Sequence, residues 1–342
     1  MDLILGAILA IAGGALEGLF SLPLTRTPKW KWENIWGMGA LMALLLVPWP
    51  VALATVPNLA QVYQAAGLKP AIVAIVGGLC WGVGGIFWGK AIGAVGMAMG
   101  VSLMMGLVTV FGSPVPLALK EPAKLAEPGG LVLLAALAVM LVGVGVCAWA
   151  GKLKDRELAS APASGAGPAV PFAMGLLFCF ISGSISAMLN VGFVFAEPIL
   201  DAAKEFRASA ASAPNAIWAL TFTANFSVNV AYTFYLMAKN RNFGLLRAPG
   251  TAHYWLGALF IGIAWPMGIV LYGMGAGKMG RYGPYVAWPM MLLSSILFGN
   301  LAGVLGGEWK NTSSKARWTM VAGVAILVLA FVVCGVARKL LA

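Results

Sequence analysis

The chain reads as an all-α membrane protein of ten transmembrane helices, arranged as an inverted repeat of five and five. Three observations point there. Of 342 residues, 61% are hydrophobic and 10% charged, whereas a soluble domain carries about a quarter charged residues, so most of the surface must face lipid. The apolar residues fall in runs close to the roughly 20 needed to cross a bilayer core. Finally, WGVGGIFWGKAIGAVG, Trp81 to Gly96, returns as WPMGIVLYGMGAGKMG, Trp265 to Gly280. Trp81, Gly84, Gly89, Gly93 and Gly96 fall on Trp265, Gly268, Gly273, Gly277 and Gly280 without a gap, and Trp88 falls on Tyr272. Both copies sit at a junction between two apolar runs, which marks a duplication. Membrane proteins built from paired repeats are typically transporters, because two related bundles can rock about a shared midplane site.

The apolar runs place helices at 3–22, 34–55, 71–89, 94–111, 130–150, 171–194, 216–238, 254–275, 284–305 and 318–337. The first follows Asp2 with no basic n-region, so it reads as a retained helix and not a cleaved signal. Ahead of the second, Trp30 and Trp32 with Lys29 and Lys31 form an amphipathic collar suited to headgroups. The third and fourth share one apolar stretch of 41 residues, Ala71 to Phe111, broken only by Lys90. A single helix of that length would be about twice the thickness of a bilayer core. The chain must turn, and glycines within 89–96 permit it; the repeat predicts the same turn at 273–280, with Lys278 and Arg281 marking the surface. After the fifth helix, residues 151–170 are first charged and then rich in Ala, Ser, Pro and Gly, a linker between halves 1–150 and 171–342. Laying the sixth helix on the first puts Gly175 on Gly6 and Gly183 on Gly14. Five helices per half is odd, so the second half enters the membrane with opposite polarity.

The net charge of +11 reflects basic residues in the short breaks between runs, where they serve topology and lipid headgroups; no nucleic-acid partner is implied. The loops after the odd-numbered helices hold 13 Lys and Arg, from Arg26 to Arg317, and the other side holds nine. This places both termini outside the cytoplasm. Cys80, Cys147, Cys179 and Cys334 lie in apolar runs without metal-ligand spacing and read as small buried hydrophobes. One histidine, no metal-ligand cluster and no nucleophile with a base argue against a membrane-embedded enzyme. No metal or organic cofactor is expected beyond a coupling ion. Glu197, Asp201 and Glu205 with Lys204 and Arg207 read as a solvated loop, Lys90 as snorkelling at the surface, and His253 as an interface residue.

The segments PKWKWENIWG (28–37), PWPVALATVPNL (48–59), WGVGGIFWGKAIGAVGMAMG (81–100), LVGVGVCAWAGKLKDRE (141–157) and GEWKN (307–311) resemble the L-rhamnose/proton symporter family, a branch of the drug/metabolite transporter superfamily. The resemblance covers essentially the whole chain. It implies a ten-helix fold and proton-coupled uptake of L-rhamnose or a related deoxysugar across the bacterial inner membrane. The superfamily also contains transporters and exporters of other small polar metabolites. The sequence departs from the family pattern at Gly85, where an asparagine is familiar, and at Glu17, where a small residue is familiar.

Glu17 bears most on mechanism, since it lies well inside the first helix and an acid in hydrocarbon is expensive. It reads as a proton-coupling carboxylate, or else as an acid that reaches headgroups or pairs with Arg26 or Lys29. The repeat puts Glu17 on Ser186 and Ser21 on Asn190, so the first helix of each half carries a polar pair at i, i+4. Asn225 and Asn229 are one turn apart in the seventh helix, near Phe222 and Tyr232. Amides both donate and accept, which suits a polyol, although interhelical hydrogen bonding would also account for them. Aromatic rings can pack on the C–H face of a sugar; Trp88, Tyr272 and Trp288 are the candidates, with Trp81, Trp265 and Tyr285 as further aromatics that the interface belt also explains. Substrate binding is therefore expected at Ser186, Asn190, Asn225, Asn229, Trp88, Tyr272 and Trp288, and proton coupling at Glu17.

Overall fold

A computed structural model describes residues 2–95, 97–158, 171–307 and 309–341. All regular structure among them is helical. In the first half these are α1 (Asp2–Leu19), α2 (Trp32–Leu41), α3 (Pro48–Thr55), α4 (Leu59–Ala66), α5 (Leu68–Val95), α6 (Met97–Gly112), α7 (Pro114–Lys120), α8 (Pro122–Ala126) and α9 (Pro128–Leu158). The second half has α10 (Phe172–Ser186), α11 (Met188–Phe195), α12 (Glu197–Glu205), α13 (Pro214–Lys239), α14 (Tyr254–Lys278), α15 (Gly283–Leu305) and α16 (Ser314–Leu341). A π-helical turn over Met42–Leu46 joins α2 to α3; Pro48 and Pro50 just beyond it have no N–H to offer a regular ladder.

Nine segments among the described residues are long and apolar enough to cross a membrane. The 26-residue α13 has the length for a tenth crossing, but Asn215, Asn225, Asn229, Thr221, Thr223 and Thr233 lower its mean hydropathy. In hydrocarbon such side chains need protein partners, and α13 accordingly packs against α2, α3, α5 and α14. Counted with it, the crossings are α1, α2–α3, α5, α6–α7, α9, α10–α11, α13, α14, α15 and α16.

The packing repeats between halves. α1 lies on α14 and α15 as α10 lies on α5 and α6, α2 meets α14 as α13 meets α5, and α9 pairs with α16. Individual positions repeat too: Gly6 faces Gly275 and Met279 where Gly175 faces Ala94 and Val95, and Gly14 faces Met291 where Gly183 faces Leu107. These correspondences fit the inverted repeat. They also show why the glycines are there. A Cβ on Gly13 would lie 2.5 Å from the Gly268 carbonyl oxygen, so α1 and α14 touch backbone to backbone, as small residues allow in membranes.

Several boundaries differ from the sequence reading. The 89–96 turn begins later, since α5 runs through Gly89 and Lys90 to Val95, and Gly96 lies outside the described residues. Likewise α14 continues past Gly273 to Lys278, and Gly280 at φ +76° makes the turn. Glycine permitted an earlier break, but unbroken backbone hydrogen bonding within the span prevailed. The sixth crossing is divided between α10 and α11. The charged segment at Glu197–Glu205 is not a loop: it forms α12, whose Ile199, Ala202 and Ala203 are buried against the protein. Of the interdomain linker, residues 151–158 extend α9 and 159–170 lie outside the described residues. Trp30 is no headgroup anchor; it is 5% exposed and its Nε1 donates to the Leu245 carbonyl at 2.8 Å. Lys90 remains exposed, its Nζ 5.3 Å from the Phe87 ring centroid. His253 stands just before α14 with its ring against Tyr254.

One end of the molecule is packed more tightly than the other. The buried residues of α15 all lie between Gly283 and Ser295, and those of α13 lie mostly between Pro214 and Asn225. Both stretches belong to the end that carries the termini. Near the opposite end, Glu157 accepts hydrogen bonds from Ser313 N–H and Oγ, each at 2.6 Å, tying α9 to the start of α16.

Two outcomes are expected. Gly13→Val should lower stability by about 1–3 kcal/mol through overpacking, read as a fall in Tm of the purified protein. Gly89→Ala, with nothing within 4 Å of the added carbon, should not. Separately, the Ser313 donors hold the Glu157 carboxyl below its ordinary value. A depressed acid contributes stability above its unfolded pKa and loses it as pH falls through the folded one. Glu157→Gln should therefore lower Tm at pH 7, and the gap to wild type should close below the ordinary carboxylate range of about pH 4.

Candidate functional site

Five helices bring aromatic rings together in the middle of the bundle. Trp265 of α14 stacks on Phe20, just beyond α1, at 5.5 Å and 14°, lies 5.0 Å from Trp36 of α2 and takes the edge of Trp81 of α5 at 5.4 Å and 75°. Trp81 in turn meets Phe222 of α13 at 5.5 Å. The two repeated tryptophans therefore touch each other, where the halves meet. Beside them the α13 amides are ordered: Asn229 Nδ2 donates to Asn225 Oδ1, and Trp36 Nε1 donates to Asn229 Oδ1 at 3.0 Å. These two bonds fix which end of the Asn229 amide is oxygen. Asn225 and Asn229 are 1% and 3% exposed, yet the Asn225 NH₂ and the second Asn229 N–H donate to no group among the described residues.

Glu17 borders this cluster, one turn before Phe20. Its Oε1 is buried without a hydrogen-bond partner and lies 2.8 Å from where a Cβ on Gly268 would stand. Lys29, one of its possible cations, instead donates to the Pro249 carbonyl at 3.2 Å. The placement fits the duplication, because Ser186 sits against Gly84 in the same way. Ser186 is buried at the end of α10, and the neighbouring Ser182 Oγ donates to the Gly84 carbonyl at 2.8 Å.

The remaining predicted residues lie elsewhere. Asn190, Tyr272 and Trp288 form a dry cluster near the tightly packed end. Asn190 Nδ2 donates to the carbonyls of Gly112 at 2.7 Å and Pro284 at 3.3 Å, while its Oδ1 accepts from the Tyr272 hydroxyl. Gly112 needs this donor, since the residue four positions on is Pro116, which has no N–H. Trp288 lies 5.3 Å from Tyr272 and donates through Nε1 to Val108 O at 3.3 Å. Phe193 and Trp218 stack below them at 4.6 Å. Trp88 packs, half-buried, against Ala91, Met104 and Cys179. The expected site residues thus divide: Glu17, Asn225 and Asn229 adjoin the aromatic cluster, with Ser186 on the neighbouring flank of α5, whereas Asn190, Tyr272, Trp288 and Trp88 do not.

Charged groups close the packed end. Glu121 accepts from Arg281 Nε and from the Tyr282 hydroxyl, each at 2.9 Å; Lys120 pairs with Glu197 and donates to Val194 O at 3.2 Å. Burial and the Glu121 carboxylate push the Tyr282 phenol up. Each of these links joins the first half to the second. Sequence reasoning did not place Phe20 and Trp36 in the site; the signal for Trp36 was its i, i+4 spacing from Trp32, with which it stacks at 5.9 Å, and Phe20 gave none beyond an aromatic ring in an apolar run.

The family follows from comparison over the whole chain. A family model described as L-rhamnose-proton symport protein matches residues 1–339. The chain belongs to this family. It is 25% identical over 342 residues to proteins named L-rhamnose-proton symporter from Yersinia pestis (strain Pestoides F) and Yersinia pseudotuberculosis serotype O:1b (strain IP 31758), covering 97% of each chain. A protein of known crystal structure superposes with a TM-score of 0.52 at 17% identity over 98% of both chains, and so shares the fold. Members of this symporter family are transporters, not enzymes, and no group of three or more His, Cys, Asp or Glu able to hold a metal occurs among the described residues. The chain is a multi-pass membrane protein.

The dry cluster yields a test. Asn190→Ala removes the donor to the Gly112 carbonyl and the acceptor of the Tyr272 hydroxyl, and Tyr272→Phe removes the second of those bonds. In a thermal-unfolding double-mutant cycle each should destabilise by about 1 kcal/mol, with Asn190→Ala the larger. The two losses should not add; full additivity would mean that the amide and phenol do not act together.

Proposed function

We propose that this chain is a proton-coupled monosaccharide symporter of the bacterial inner membrane, working by alternating access with L-rhamnose or a related sugar as its substrate. The observation that carries this reading is the mid-bundle cluster: Trp265 with Phe20 stacked on it, Trp36 tilted against it and Trp81 edge-on, beside an amide pair with unused donors and next to a carboxyl whose Oε1 is buried without a partner. Aromatic faces suit the C–H face of a pyranose, and amides with free donors and lone pairs suit its hydroxyls. The names of the Yersinia relatives agree with sugar and proton as the two cargoes.

In this reading Asn225, Asn229, Trp36, Trp81 and Trp265 bind the sugar, with Ser186 and Trp88 along its path. Asn190, Tyr272 and Trp288 act instead as the seal of the packed end, with the Glu121–Arg281 and Lys120–Glu197 pairs outside it. The excess of Lys and Arg after the odd-numbered crossings supports termini outside the cytoplasm, which makes the present arrangement closed to the outside. Glu17 carries the proton. A carboxyl enclosed without a cation is inexpensive to hold as the neutral acid and costly as the anion, so its charge and the opening of the bundle are coupled. Linkage then requires proton and sugar to raise each other's affinity by one factor.

The test uses proteoliposomes with an imposed pH gradient and labelled L-rhamnose. Wild type should accumulate the sugar. Glu17→Gln, which mimics the protonated acid, should retain sugar exchange and lose uphill accumulation. A Glu17→Gln protein that accumulates with wild-type pH dependence would move the proton to another group. Wild type that binds no monosaccharide but moves another polar metabolite would favour the broader transporter or exporter class.

A further inference from the structure

Within α5, Gly77, Gly78, Gly82 and Gly84 are required by close neighbours: a Cβ on Gly77 would lie 2.7 Å from Met188 O and one on Gly82 2.8 Å from Val228 Cβ, while those on Gly78 and Gly84 would collide with Thr221 O and Ser186 Oγ. Gly85 is different. A Cβ there would stand 3.7 Å from both Nδ2 and Oδ1 of Asn229, in ordinary contact, with nothing else within 4 Å. Helix packing therefore does not explain this glycine, and the edge of the Asn229 amide faces it squarely. One turn further along the same face, Gly89 is exposed and has nothing within 4 Å at all.

The amide edge retains binding capacity. A primary amide can donate two hydrogen bonds, and its oxygen has two lone pairs. Asn229 uses one donor on Asn225 and one lone pair on Trp36 Nε1, which leaves one N–H and one lone pair on a side chain only 3% exposed. A group equidistant from both atoms can use them together only if it accepts and donates at once, as a hydroxyl does. An oxygen can also approach the amide more closely than a Cβ held by the helix backbone. The gap between a helix backbone and an amide edge admits an arm and not a ring. In a monosaccharide the hydroxyl carried on such an arm is that of the exocyclic CH₂OH.

We infer that Gly85 and Asn229 form a hydroxymethyl subsite, so that this chain selects a hexose with a C6 hydroxyl over its 6-deoxy counterpart. The inference rests on the sugar reading above and names the substrate class within it. Gly85 is the specificity determinant, because its missing side chain leaves the amide edge uncovered.

L-mannose and L-rhamnose differ only by the C6 hydroxyl and are the probes. Binding to purified protein is read from the fluorescence of the Trp36, Trp81 and Trp265 cluster. Wild type should bind L-mannose about ten-fold more tightly than L-rhamnose, the equivalent of about 1.4 kcal/mol. Gly85→Ala should lose that preference by weakening L-mannose about ten-fold while L-rhamnose changes by less than about three-fold. Gly89→Ala, beyond the amide, should leave both affinities unchanged. Equal affinity of wild type for the two sugars, or an equal loss of both in Gly85→Ala, overturns the subsite and leaves the sugar reading intact. Wild type that binds neither sugar overturns both. If Gly85→Ala does not fold, the wild-type ratio alone decides.

Discussion

A polar group inside a bilayer has no water to turn to, and that constraint organises this molecule. The polar face of α13 cannot meet lipid, so the helix is surrounded by α2, α3, α5 and α14, and its amides are bound to each other and to Trp36. The same requirement shapes the packed end. Pro114 and Pro116 remove N–H groups where α6 gives way to α7, and Asn190 supplies the donor that the Gly112 carbonyl then lacks. Exceptions remain: Ser184 Oγ, Asn215 Oδ1, Trp218 Nε1 and Asn242 Oδ1 are buried without partners among the described residues, as is Glu17 Oε1 beside the aromatic cluster, where α13 also keeps donors in reserve. Orphan groups of this kind normally have a reason, and for those beside the aromatic cluster the proposed symporter supplies one, its cargo.

Close approach is the second organising term. α1 lies on α14 and α15 through Gly6, Gly13, Gly14 and Gly18, each of which would place a side-chain carbon into opposing atoms. Lipid tails give no hydrophobic drive toward helix association, so contact area between backbones must serve instead. These contacts run between halves and not within them. Neither five-helix half therefore has a complete core of its own, and the halves interlock while repeating one pattern of glycine contacts.

Much of this was legible in the residues. The Trp81 and Trp265 repeat pointed to a duplication, and the positions it aligns, Gly6 with Gly175 and Gly14 with Gly183, make equivalent contacts that fit it. Glu17 and the Asn225–Asn229 pair were visible as polar side chains where none should be free. Other features were not legible, for definite reasons. Asn190 shares its polarity and spacing with the site residues, but its role depends on a proline-broken ladder in another helix that is distant in sequence. Trp30 occupies a collar motif, with Trp32, Lys29 and Lys31, that in one dimension cannot be told from an interface belt. Glycine permits a turn without requiring one, so α5 continued past Gly89.

The duplicated positions that differ in chemistry suggest how one fold could hold two states. Tyr272 and Trp88 are equivalent, as are Asn190 and Ser21, yet only Tyr272 and Asn190 are joined. At the packed end that bond and the Glu121–Arg281 pair hold the halves together. At the other end the corresponding ring, Trp88, rests half-buried on Ala91, Met104 and Cys179. Exchanging the conformations of the two halves would bring Trp88 toward Ser21 and release Tyr272 from Asn190. The serine offers a shorter reach and fewer hydrogen bonds than the asparagine, so the two closures would not be equal in strength. Under alternating access this inequality favours the state closed at the end carrying the termini. In the proposed symporter, proton and sugar supply the difference for the bundle to open that way, since a ligand can shift such a balance only by its differential affinity for the two states.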